Sequence, residues 1–169
     1  MRQQRQPDDQ DRWVRAEQYT WDFENRLTRV TLPGGSQVNF KYDPFGRRIQ
    51  KTSSSGTTNY VYDGANVLEE VDTAGNLVTR YTQNLGIDEP LALLRSGTTS
   101  YYEADGLGTI TSLTNSSGAI ANTYTYDSFG KLTASSGTVV NPYRFTAREF
   151  DSRFAYVAGE SRRSGRTND

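Results

Sequence analysis

The sequence predicts an all-β fold: antiparallel hairpins recurring about every 21 residues and set side by side as a curved strip. Three observations carry this. A pattern of aromatic, any residue, aromatic, Asp recurs along the chain. Glycines keep the same interval. Between the two, apolar and polar residues alternate as they do in strands covered on one face.

The aromatic pattern opens at Tyr19-Thr20-Trp21-Asp22 and returns at Phe40-Lys41-Tyr42-Asp43, Tyr60-Val61-Tyr62-Asp63 and Tyr124-Thr125-Tyr126-Asp127. Weaker copies, Tyr81-Thr82-Gln83-Asn84 and Tyr101-Tyr102-Glu103, fill the gap. The first aromatics therefore fall at 19, 40, 60, 81, 101 and 124. Turn-like clusters place glycines at 35, 56, 75, 97, 118 and 137, and these are expected along one edge of the strip. A third set, half a period out of phase, is Asn25, Gly46, Asn66, Gly86, Gly106 and Gly130. Two turns per unit leave two strands of six to eight residues, which is one hairpin per repeat. Within strands, Val38, Phe40 and Tyr42 share a face, as do Tyr60 and Tyr62, and Ile120, Tyr124 and Tyr126. A propeller blade would consume two repeats, and three blades are too few to close.

Asp43-Pro44-Phe45-Gly46 shows why Asp follows the aromatics. Its carboxylate can accept amides two or three residues on, Pro presets φ, and Gly supplies a positive φ. Asp22 to Asn25, Asp63 to Asn66 and Asp127 to Gly130 repeat the plan, with Asn as the substitute for Gly. These aspartates read as turn residues.

Composition agrees. Of 169 residues, 34% are hydrophobic and 12% are aromatic, so the core leans on rings. Thr 20, Ser 15 and Gly 15 suit short strands and turns rather than a helical bundle. The chain has no His and no Cys, which excludes Ser-His-Asp and Cys-His nucleophiles, Cys/His zinc sites and disulfides. A net charge of −1 removes the electrostatic case for nucleic acid or an anionic membrane. No apolar run approaches the roughly 18 residues of a membrane span.

The ends depart from the pattern. Residues 1–16 form a polar leader, expected to be disordered, with no apolar stretch of a signal peptide. Residues 17–151 hold the strip, and residues 152–169 form a basic tail with Arg153, Arg162, Arg163 and Arg166.

YTWDFENRLTRV (19–30), FKYDPFGRRIQK (40–51) and YTYDSFGKLT (124–133) resemble the tyrosine-aspartate (YD) repeat of Rhs proteins. YVYDGANVLEEVDTAGNLVTRY (60–81), LGIDEPLAL (85–93), YYEADGLGTITSLTNSSGAI (101–120) and NPYRFTAREFD (141–151) resemble the Rhs repeat-associated core, in its usual order. The resemblance implies a β-strip that in Rhs, toxin-complex and teneurin proteins winds into a hollow shell. In bacterial members the shell encloses a C-terminal toxin, and the proteins are exported or displayed. Its repeat residues map onto Tyr19, Trp21, Asp22, Tyr42, Asp43, Gly46, Tyr60, Tyr62, Asp63, Asp105, Gly108, Tyr124, Tyr126, Asp127 and Gly130. Ala147 stands where the family has Gly, and the residues after Asp151 do not match the segment that carries self-cleavage. No catalytic residue is carried over, and the mismatch reads as a C-terminally truncated or out-of-register family pattern.

The expected role is thus a non-catalytic piece of an Rhs/YD-repeat shell, without cofactor or metal. Its partners would be the rest of a shell, a toxin cargo, or a second copy meeting it through strand edges or an uncovered aromatic face; Tyr124–Phe129 and Val139–Phe145 are the sparsely charged edges. Two other readings compete. Trp21, Tyr42, Tyr62 and Tyr126 could stack on a glycan as a carbohydrate-binding module. Asp105 near Asp88 or Glu89 could form a carboxylate pair.

Overall fold

The computed structural model describes residues 18–86 and 88–150. The leader 1–16 and the tail 152–169 lie outside the described residues. Twelve strands follow one another: β1 (Gln18–Trp21), β2 (Leu27–Thr31), β3 (Gln37–Tyr42), β4 (Arg48–Ser53), β5 (Gly56–Asp63), β6 (Asn66–Val71), β7 (Leu77–Gln83), β8 (Pro90–Arg95), β9 (Thr98–Ala104), β10 (Ile110–Asn115), β11 (Ile120–Tyr126) and β12 (Leu132–Ser136). Their order in the single sheet is their order in the chain, and every neighbouring pair is antiparallel. The result is six hairpins in a meander, as the repeat requires.

The loops inside each hairpin line one rim, and the loops between hairpins line the other. On the first rim the Asp turns repeat closely. Asp43 Oδ1 accepts the amides of Phe45 and Arg47, each at 2.9 Å, and Gly46 holds φ +81°. Asp22 does the same for Glu24 and Arg26, with Asn25 at φ +60°. Asp105 takes Leu107 and Thr109, and Asp127 takes Phe129 and Lys131. The second rim uses the same device at Asp72 and Asn115, which the aromatic pattern does not mark.

Two local expectations are corrected. Asp63 ends β5 opposite Asn66, and the positive φ sits on Gly64 (+58°), so this hairpin closes on two residues rather than on the Asp turn. In the fifth hairpin the positive φ lies on Gly108 and in the fourth on Asp88. Tyr102, not Tyr101, is the buried ring of the fifth copy, so the aromatic steps become 19, 40, 60, 81, 102 and 124. Asp or Asn then follows the first ring by three residues in every copy, at 22, 43, 63, 84, 105 and 127.

Register shifts precede the second aromatic position at Thr20/Trp21, Lys41/Tyr42, Val61/Tyr62, Thr82/Gln83 and Thr125/Tyr126. A bulge at each of these steps increases local twist. The carbonyl exposed beside it is taken by a threonine in three hairpins: Thr28 donates to Thr20 O, Thr111 to Glu103 O and Thr133 to Thr125 O, each at 3.1 Å.

The sheet ends at Ser136, short of the strip boundary expected at 151. Gly137 is the reason. It holds φ +86°, and a Cβ there would run into the Ala121 carbonyl and the Asn122 side chain. Only glycine lets the chain pass that close to β11. Residues 137–150 then cross back over the tyrosine face. Val139–Phe145 is therefore not an edge strand; the segment carries only an isolated bridge, Tyr143 to Glu149, and one 3-10 turn, Phe145–Ala147.

Candidate functional site

The tyrosine face is where the repeats meet each other and where the returning segment lands. Each second aromatic fastens its hairpin to the one before. Tyr42 Oη donates to Leu27 O at 2.9 Å, Tyr62 to Arg48 O at 3.0 Å and Tyr126 to Ile110 O at 3.2 Å. In the fourth copy Gln83 Nε2 takes the same part toward Val67 O, at 3.4 Å. The position thus calls for a long side chain with a donor at its tip, which is why Gln stands in for Tyr. The Asp turns are tied the other way: Arg26 Nη1 reaches Asp43 O at 3.3 Å and Arg47 Nη1 reaches Gly64 O at 2.6 Å. Those arginines also lie over the faces of Tyr42 and Tyr62, at 5.3 and 5.0 Å from the ring centres. The glycan platform expected of Trp21, Tyr42, Tyr62 and Tyr126 therefore has its hydroxyls and two of its ring faces engaged, while Trp21 and Tyr19 remain about 40% exposed on β1.

The returning segment is held by specific polar contacts. Tyr102 Oη donates to Asn141 Oδ1 at 3.0 Å, and Asn141 Nδ2 donates to Tyr143 O at 2.6 Å. The Asn122 side chain both donates to Val139 O and accepts its amide, at 2.9 and 3.1 Å. Tyr143 stands edge-on to Tyr81 and Tyr102, with ring centres 5.2 and 6.0 Å away. Phe145 packs on Tyr126, and Ala147 is fully buried at φ +52°. A positive φ explains why the family resemblance leads one to expect Gly there.

Two ion pairs tie the segment to distant hairpins: Glu149 to Arg48, and Arg148 to Asp88 at 2.9 Å. The Arg48 guanidinium lies between the rings of Phe40 and Tyr60, 5.5 and 4.9 Å from their centres. Burial works most strongly against its charge, but Glu149 together with the Tyr60 and Tyr62 phenols outweighs it and raises its pKa. Arg144 lies 4.0 Å over Tyr124. Arg48 Nε and Arg144 Nη1 are buried without hydrogen bonds among the described residues, and the facing rings supply the compensating negative potential. Tyr81 Oη donates to Glu70 at 2.8 Å. Burial, reinforced by charged or polar neighbours, pushes the phenols of Tyr60, Tyr81, Tyr102 and Tyr143 above their ordinary value; Tyr126 is pushed to about 12, chiefly by burial.

Between the returning segment and the sheet lies a cavity of about 830 Å³, lined by residues that include Lys51, Thr58, Tyr60, Glu70, Arg95 and Arg144. Its wall is mainly hydroxyl and charge rather than hydrocarbon. The conceivable carboxylate pair is not assembled. Asp105 holds its turn amides, Asp88 pairs with Arg148, and Glu89 accepts from Asn84 Nδ2 at 2.7 Å. Among the described residues no cluster of Asp and Glu is arranged to hold a metal.

Comparison with known proteins agrees with this architecture. The RHS Repeat family matches residues 21–58. The tRNA3(Ser)-specific nuclease WapA of Bacillus spizizenii is 36% identical over 140 residues, which is 79% of this chain and 6% of that protein. The probable deoxyribonuclease RhsB of Dickeya dadantii is 41% identical over 54 residues, 31% of this chain and 4% of that one. The chain is an Rhs/YD-repeat protein. A crystal structure of TcdB2-TccC3-Cdc42 superposes with a TM-score of 0.61 at 16% identity, over 80% of this chain and 8% of that one. At that identity the likeness concerns the fold alone. The chain spans about 6% of the length of the WapA relatives it matches. The Rhs region is a structural element.

Proposed function

We propose that this Rhs region is a non-catalytic wall segment of a shell that encloses and delivers a toxin carried elsewhere in the protein, at the cell surface or after secretion. The unit is the stretch 17–151, with Tyr19, Trp21, Asp22, Tyr42, Asp43, Gly46, Tyr60, Tyr62, Asp63, Asp105, Gly108, Tyr124, Tyr126, Asp127 and Gly130 as its repeat framework. The observation that carries this is the use made of the tyrosine face. Its hydroxyls and arginines hold hairpin to hairpin, its rings hold the returning segment, and what is left is a polar hollow, not a constellation of reacting groups. Names of nuclease relatives support the toxin part of the reading.

Two measurements test it. Purified chain incubated with tRNA and with duplex DNA leaves both intact; cleavage that disappears on replacing one carboxylate overturns the non-catalytic role. Amide exchange is expected to protect Val139, Tyr143 and Arg144 together with β9–β11 as one opening unit. Fast exchange at those three amides beside slow strands overturns the returning segment as part of the wall.

A further inference from the structure

The two rims of the strip differ in a way that neither turn chemistry nor the tyrosine face explains. On the first rim the tips carry Phe23, Phe45, Leu85, Leu107 and Phe129, which are 76% to 102% exposed. The sixth tip, between β5 and β6, carries Gly64 and Ala65. The second rim has Gly34 and Gly35, Ser54 and Ser55, Thr73 and Ala74, Ser96 and Gly97, Ser116 and Ser117 at its tips, with no large apolar residue. The Asp turns do not need the apolar side chains. Phe45, Leu107 and Phe129 serve the turn through their backbone amides, which any residue but proline supplies. Solvent-facing tips ordinarily carry polar or small residues. One large apolar side chain on five of six tips, all on one rim, makes a contiguous row of the kind that marks an interaction surface.

The row has a period. Each hairpin advances the rim by two strand spacings, about 10 Å, so the six tips span roughly 50 Å. A partner must offer apolar contacts at that same interval, and the surface that does so is another copy of the same rim. Area agrees. At roughly 150–200 Å² for each large side chain, five anchors cover close to the ~800 Å² per partner of a standard interface. The order of the tips also agrees. A two-fold axis runs the partner copy's first rim antiparallel to this one. Phe23 then meets Phe129, Phe45 meets Leu107, and Leu85 meets the small Gly64–Ala65 tip, which leaves room for it. Glu24 in the first tip, which pairs with Arg26 there, comes opposite Lys131 in the last.

We propose that the Phe23–Phe129 rim is a self-association surface, through which two copies of this chain pair rim to rim and antiparallel. This surface is separate from the strand edges of β1 and β12 and from the tyrosine face. Light scattering coupled to size-exclusion chromatography tests it, with Phe45→Ser and Phe129→Ser alone and together. Both rings are exposed, so the fold, checked by far-ultraviolet dichroism, is expected to survive. The chain should show a concentration-dependent dimer. Each single variant should weaken it at least tenfold, and the double variant should be monomeric across the range. A mixture of Glu24→Cys and Lys131→Cys chains, otherwise free of cysteine, should form the mixed disulfide in preference to either homodimer. A wild-type monomer at every concentration overturns the proposal. So does a dimer indifferent to the double variant, which would assign pairing to the strand edges. So does loss of the row's effect in solution together with binding of the monomer to phosphatidylcholine vesicles, which would make the row a lipid contact.

Discussion

Tyr19 and Tyr124 hold the same place in the repeat, yet one is 41% exposed and the other 5%. The same divergence separates the two halves of the strip. In β1–β4, Val30, Val38 and Phe40 bury mainly against Leu27, Leu32 and Tyr42, and β1 is exposed along its length. In β7–β11, Tyr81, Leu93, Tyr102, Ile110, Leu113 and Tyr124 form a larger core with Ala147, Val139 and Tyr143 of the returning segment. The hairpins are equivalent; the lid of chain over them is not. A repeat of this kind supplies a half-core on each hairpin, and whatever crosses the tyrosine face completes it.

High pH is expected to separate the halves most strongly. Phenols whose pKa is raised on folding contribute stability that is intact below the unfolded value near 10 and is lost as pH climbs past it. Tyr81, Tyr102 and Tyr143 are all in that state and all in the covered half. Each costs about 1.4 kcal/mol per pH unit beyond 10 while it stays un-ionised in the fold. Tyrosinate absorbance of this buried set should therefore appear in one cooperative jump with loss of β dichroism. A single smooth titration of all phenols would erase the contrast.

Tyr143→Ala should come next. It removes the ring that joins the segment to Tyr81 and Tyr102, and aromatic-to-alanine changes in cores cost about 3–5 kcal/mol. Urea melts should lose that stability, and amide exchange should speed up in β7–β11 while β2 and β3 hold. Equal acceleration in both halves would show one cooperative body. Tyr102→Phe leaves the shape and strips the donor from Asn141 Oδ1, which lies in the interior. A loss of about 0.5–1.5 kcal/mol is expected, the net worth of one hydrogen bond, because the Tyr143 amide still donates to that oxygen.

The smallest effect belongs to the Asp turns. Arg26 and the turn amides lower the Asp22 pKa; at Asp43 partial desolvation is outweighed by Arg47 and the turn amides; Asn76 and the amides lower Asp72. Depressed carboxylates stabilise above their unfolded pKa, near 4, and that contribution fades as pH falls through the depressed values. Asp43→Ala should shift the denaturation midpoint less than Tyr102→Phe does and should flatten the acid dependence. A midpoint shift larger than that of Tyr102→Phe would mean the turns, not the cover, dominate stability.

The legibility of these features in the sequence follows how local each is. The Asp turns are complete within five residues, so Asp22, Asp43 and Asp127 were readable from the chain alone. Asp63 misled because Gly64 permits a tighter turn than the shared pattern implies. Tyr101 was mistaken for its neighbour because two adjacent tyrosines fit the aromatic pattern in either phase, and only the spacing to Asp105 decides between them. The return of 137–150 depends on contacts with residues up to 101 positions away, such as Arg48 with Glu149. Its one local trace is that alternation stops after Ser136, at a glycine that then meets β11. The donor role of Gln83 was hidden for the opposite reason: the pattern names a ring, while the neighbouring carbonyl needs only a hydrogen.

The three tyrosine hydroxyls that fasten one hairpin to another through a backbone carbonyl all point toward the N-terminal neighbour: Tyr42 to Leu27, Tyr62 to Arg48, Tyr126 to Ile110. A ribosome delivers about 5–20 residues per second, so each 21-residue unit takes on the order of one to a few seconds to emerge, whereas a hairpin closes in about 1–10 μs. Each new unit thus leaves the exit tunnel with its acceptor already in place behind it. Through these hydroxyls growth of the strip is vectorial: a nascent hairpin templates on its predecessor, and only the Arg26 and Arg47 ties wait for its successor. The crossing of Asn141 to Phe150 follows these hairpins, made possible only when the surface it closes has been laid down.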